Sequence, residues 1–72
     1  MNFGEFQGSS TVKDQIHKLS LVLKELKEIK VGLKILDKIK YLKKEDASDL
    51  IDEVEQLIAI IATILKNKKD RI

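Results

Sequence analysis

Asp14, His17 and Ser20 carry the side-chain types of a nucleophilic triad and stand three residues apart in sequence. On a helix each step of three turns the side chain by 300°, so the three drift about 60° apart per step and do not converge on one reacting atom. No oxyanion-hole element, Gly-rich phosphate loop or nucleophile elbow accompanies them. The chain has no Cys and one His, which removes thiolate ligands and thiol nucleophiles and leaves too few imidazoles for a zinc site. Glu45, Asp46, Asp49, Asp52, Glu53 and Glu55 are the remaining chemistry-bearing cluster. Acids concentrated in the first turns of a helix are explained by the positive end of its dipole. The sequence therefore predicts no enzyme, no cofactor and no metal.

Ser48 and Asp52 also stand at the S-x-x-x-D spacing of a family of small two-helix phosphatases acting on sporulation response regulators. That family's motif reads S-Q-E-L-D, whereas the stretch here is Ser48, Asp49, Leu50, Ile51, Asp52. Two of five positions match, and an ordinary amphipathic helix pattern follows in Glu53, Val54 and Glu55.

The elements that carry these residues follow from charge blocks and apolar spacing. Between 24 and 44, Lys24, Lys27, Lys30, Lys34, Lys38, Lys40, Lys43 and Lys44 face only Glu25, Glu28 and Asp37. The six acids of 45 to 55 come next, then the uncharged run Gln56 to Leu65, then Lys66, Lys68, Lys69 and Arg71 against Asp70. Such blocks belong to elements that lie against one another or against a charged partner. With no Pro and three Gly, the fold class is all-α.

Residues 1 to 10, with Gly4, Gly8, Ser9 and Ser10, read as a disordered tail carrying Phe3 and Phe6, and as no secretory signal. Ser10 and Thr11 are good helix caps. From there Val12, Ile16, Leu19, Leu23 and Leu26 make one stripe, and Val22, Leu26, Ile29, Leu33 and Leu36 a second that hands on to Ile39 and Leu42. The first helical segment is expected to reach about Lys44, with a kink or break near Gly32 that would raise the helix count to three. Asp46 is expected to cap the last helix, whose stripe is Leu50, Ile51, Val54, Leu57, Ile58, Ile61, Ile64 and Leu65. An antiparallel hairpin would lay the lysine run beside the acids of 45 to 55.

A chain of 72 residues and 8.2 kDa buries only about 60% of its unfolded surface when it folds alone, and it has no disulfide or metal to help. Val31, Ile35 and Leu42 form a second apolar face that one neighbouring helix does not cover, and the last helix is apolar nearly all round beyond Gln56. A homodimeric bundle from residues 11 to 69 is therefore expected, with Leu26, Leu33, Ile35, Val54, Leu57, Ile58 and Ile61 as its core. The uncharged stretch from Leu57 to Leu65, nine residues, falls well short of the roughly 20 needed for a membrane span, so no membrane is expected. The Lys24 to Lys44 face is a possible nucleic-acid surface, opposed by a single Arg, one nearby Tyr and a net charge of +2; no specific nucleic-acid binding is expected.

A Lys/Ile-rich helical chain of this length, ending in Leu65, Lys66, Asn67, Lys68, Lys69, Asp70, Arg71, Ile72, resembles the small internal scaffolding proteins by which staphylococcal pathogenicity islands redirect a helper phage's capsid to smaller size. The resemblance implies a helical homodimer that binds the major capsid protein from inside. It would act in the host cytoplasm within assembling procapsids and be absent from mature particles. Residues 64 to 72 are then the expected partner-binding segment, through Ile64, Leu65, Lys66, Lys68, Lys69, Arg71 and Ile72, poorly ordered until bound. The alternative is a generic homodimeric helical interaction or regulatory module.

Overall fold

A helix start is favoured where one of its free amides finds a side-chain acceptor. Thr11 supplies one: its Oγ1 accepts from the Asp14 N–H at 3.1 Å, while its carbonyl accepts from the Gln15 N–H at 3.0 Å. A computed structural model describes residues 11–70, and Phe3, Phe6, Arg71 and Ile72, singled out above, lie outside them. It contains two helices, α1 (Val12–Lys38) and α2 (Lys44–Lys69).

The expected break at Gly32 does not occur. α1 runs through it for 27 residues, and a Cβ built there would meet nothing within 4 Å. One glycine costs about 1 kcal/mol, too little to interrupt a hydrogen-bonded ladder that continues on both sides. The helix also ends earlier than about Lys44. Lys40 adopts the left-handed conformation at φ 60°, the Tyr41 N–H reaches back to the Leu36 carbonyl and the Lys40 N–H to Asp37, each at 3.0 Å. This pair of bonds is a Schellman ending, built here on a lysine where glycine is usual. Ile39 and Leu42, which continued the apolar period, are thus in the turn.

Asp46 is not the cap of α2. Lys43 occupies that position in extended geometry (φ −61°, ψ 142°) without a side-chain cap bond, and its carbonyl accepts from the Ala47 N–H at 3.0 Å. Glu45 and Asp46 instead lie in the first turn, and Lys66, Lys68 and Lys69 in the last, so both ends of α2 suit the helix dipole.

The helices pack as an antiparallel hairpin along a single seam. Its α1 side is Ile16, Leu19, Leu23, Leu26, Lys30, Leu33 and Asp37, and its α2 side is Ala47, Ile51, Val54, Ile58, Ile61, Leu65 and Lys68. Both series alternate steps of three and four, the 3.5-residue repeat of a coiled-coil seam. Lys30 Nζ lies 3.4 Å from Glu55 Oε1, and Lys68 Nζ donates to Gln15 Oε1 at 2.6 Å, fixing the register at mid-length and at the open end. By that register Leu23 lies opposite Ile61, and Leu19 opposite Leu65. Of the described residues only Ala47 (0% exposed) and Leu65 (5%) are fully buried. Ala47, the smallest seam side chain, sits just after the turn, where the two helices are closest in sequence.

Candidate interaction surface

A seam of two positions in seven covers a narrow stripe of each helix and leaves its flanks open. Writing the seam positions as a and d, the residues just before each a position, called g, include Val22, Ile29 and Leu36 on α1 and Leu50, Leu57 and Ile64 on α2. The residues just after each d position, called e, include Ser20, Lys27 and Lys34 on α1 and Ser48, Glu55, Ala62 and Lys69 on α2. In an antiparallel pair the two e flanks fall on one side and the two g flanks on the other. Ser20 and Lys27 indeed share one hollow with Lys69, which places both e flanks together.

The two sides differ in chemistry. On the g side, the hairpin register sets Val22 across from Ile64, Ile29 from Leu57 and Leu36 from Leu50, three apolar pairs in a row. Ile29 remains 50% exposed and Leu57 48%, with Val22, Leu50, Ile64 and the neighbouring Ile60 also exposed. Together they leave a contiguous row of half-exposed apolar side chains in water, the kind of patch that often marks an interaction site. The e side is lysine-rich with Val31 exposed among the lysines, and Lys30 leans from the seam toward it to reach Glu55.

The residues singled out from the sequence are distributed over both surfaces. Leu26, Leu33, Val54, Ile58 and Ile61 are half-buried in the seam of the single hairpin. Leu57 lies on the g flank, and Ile35, taken as core, is 54% exposed on the back of α1. Val31, from the same expected second face, opens on the e side, so that face is split. In the C-terminal segment, Leu65 is buried in the seam and unavailable to a partner as the hairpin stands. Lys68 is tied to Gln15, while Ile64 is exposed on the g side of α2 and Lys66 and Lys69 on its e side. The segment is helical through Lys69, where an unstructured stretch was expected. The g flank as a continuous unit was not named from the sequence. Its signal is the seven-residue spacing shared by Leu50, Leu57 and Ile64 and by Val22, Ile29 and Leu36, which becomes one surface only once the antiparallel register is known.

Ser20 Oγ donates to the Ile16 carbonyl at 2.8 Å, one turn back in its own helix, and the Asp14 amide serves the Thr11 cap. Among the described residues no group of three or more His, Asp or Glu side chains is disposed to hold a metal ion. No helix among them is long and apolar enough to cross a membrane. No family model matches the chain, and neither a curated protein nor a solved structure matches it.

Proposed function

We propose that the chain is a non-catalytic helical interaction module that pairs with a second copy through the g flank, and that the pair serves as an internal scaffold for the major capsid protein of a helper phage. The observation that carries the first half is the row Val22, Ile29, Leu36, Leu50, Leu57 and Ile64, an apolar face with a lysine-rich opposite side. Two copies stacked face to face would cover this row on both, with the rim residues adding to the buried area. The resulting four-helix bundle would give each helix the second neighbour that its apolar width demands.

The second half rests on the resemblance of the chain in length, composition and C-terminal sequence to capsid-redirecting scaffolds. It suits the physics of the molecule. A scaffold needs a stable pair and a weak grip repeated over many coat subunits, and a basic helix end supplies contacts that are multivalent and reversible. Ile72 falls eighteen residues after Val54, five full turns, so a helix prolonged on binding would extend the Val54 and Ile61 line to the chain end.

Light scattering tests the pair: about twice 8.2 kDa is expected at tens of micromolar, and a monomer overturns it. Co-expression with candidate phage structural proteins, followed by particle imaging, tests the scaffold. Small shells are expected with the intact chain. Arg71→Ala or removal of Ile72 is expected to abolish them with helicity and dimer mass unchanged. Unchanged assembly with both variants overturns the assignment of residues 64 to 72, and no effect of the intact chain on any shell overturns the scaffold.

A further inference from the structure

On the e side, away from the proposed dimer face, the open half of the hairpin holds a groove. Its main hollow encloses about 430 Å³ and has Leu23, Val31 and Leu65 in its lining. A second hollow continues it past Leu23 and Leu65 to Ala62. The rim is cationic: Lys24 and Lys27 on α1, and Lys66 and Lys69 on α2, against Glu28 and Asp70. None of these four lysines lies within salt-bridge distance of an acid among the described residues, although Lys30 nearby has found Glu55. An apolar floor between two basic banks is neither a solvated charged surface nor a plain apolar patch.

From this juxtaposition we infer that the groove is a docking site for an acidic amphipathic helix of a partner protein. The occupant must bury an apolar line on Val31 and the exposed part of Leu23, with the nearly buried Leu65 beneath them, which calls for apolar residues at i, i+3 or i+4, and i+7. It must also present carboxylates on both sides of that line to meet the four lysines, whose long stems can lie along its flanks while their heads stay wet. Two exposed lysines on each bank set the helix in line with the groove and raise the encounter rate more than the final affinity. A nucleic-acid backbone would use the lysines and leave the floor uncovered. The floor is what favours a helix. The site deepens the proposed scaffold role by giving the chain a second contact besides its C-terminal residues, yet it stands without the dimer, because every residue of it belongs to one hairpin.

The test uses the full chain and a designed fifteen-residue peptide with Leu at i, i+3 and i+7 and Glu on both flanks. Fluorescence anisotropy against that peptide, a scrambled peptide of equal composition and a single-stranded oligonucleotide gives the three arms. Binding of the designed peptide at least about tenfold tighter than the scrambled one is expected, with NMR shifts centred on the methyl groups of Leu23 and Val31. Lys24→Glu with Lys27→Glu is expected to weaken it by about tenfold or more, and Val31→Gln to weaken it without altering net charge. Equal binding of the scrambled peptide overturns the groove as a site for a helix, as does tighter binding of the oligonucleotide. Competition by a peptide of this chain's own residues 44 to 58 would make a second copy the occupant and overturn the external partner. Mass by light scattering, read on the same samples, reports the dimer separately, so failure of the groove and failure of the pair are distinguishable.

Discussion

Truncation of Leu57 measures what the apolar flank is for. Complete burial of a leucine side chain is worth about 1.5 to 3 kcal/mol, and Leu57 is 48% exposed in the hairpin, so packing within one chain recovers only about half of that. If a second copy covers the rest, Leu57→Ala removes about 1 kcal/mol from each side of a symmetric interface. About 2 kcal/mol is then lost per dimer, and the dissociation constant rises roughly thirtyfold. Leu57→Asp adds a carboxylate to a dehydrated surface and is expected to leave only monomer at micromolar concentration. Sedimentation equilibrium over a hundredfold concentration range reads both, and far-UV circular dichroism reads the hairpin itself. Lys34→Ala, on the opposite side, is the control and should leave association within twofold. A Leu57→Ala dissociation constant that stays within threefold of the parent, or a Leu57→Asp chain that still pairs, would refute the reasoning and return this flank to ordinary exposed surface.

Lys40→Gly should raise stability by about 1 kcal/mol, since glycine reaches φ 60° without the Cβ penalty, and thermal melting at fixed concentration checks it. Gly32→Ala should add a similar amount because the new methyl meets open space in the hairpin; a loss instead would reveal another backbone lying against that position. Lys30 takes a seam position and its partly exposed pair with Glu55 contributes little, so Lys30→Leu should be neutral or stabilising, with a smaller salt dependence in urea titrations. Thr11→Ala should cost about 1 kcal/mol and speed amide exchange in the first turn of α1.

The two helices and most of the seam were legible because their signal is periodic. Ile16, Leu19, Leu23 and Leu26, like Ile51, Val54, Ile58, Ile61 and Leu65, repeat at steps of three and four that only a helix turns into one line. The boundaries were harder because they depend on backbone events that the side chains do not announce. Ile39 and Leu42 prolong the apolar period past the end of α1, and Lys40 gives no hint of the left-handed turn that a glycine would have signalled. At the start of α2, Asp46 had the right chemistry for a cap, yet the chain turns three residues earlier and uses the acid on the helix dipole instead. The division of labour between the two flanks was illegible for a different reason. It is a property of pairing, and Val31, Ile35 and Leu57 can be sorted among three surfaces only when the register of α1 against α2 is fixed.

With full burial confined to Ala47 and Leu65 among its described residues, the hairpin draws on a thin reserve of its own, and under the proposed pairing mass action would supply the remainder. Whatever covers the apolar flank or fills the groove binds the folded chain and not the unfolded one, so at a hundred times its dissociation constant it adds about 2.7 kcal/mol. The melting temperature must then climb with the concentration of the covering species. In a cell, where proteases remove chains in proportion to the time they spend open, the same linkage would set lifetime: copies paired as proposed would persist, and the surplus would be cleared.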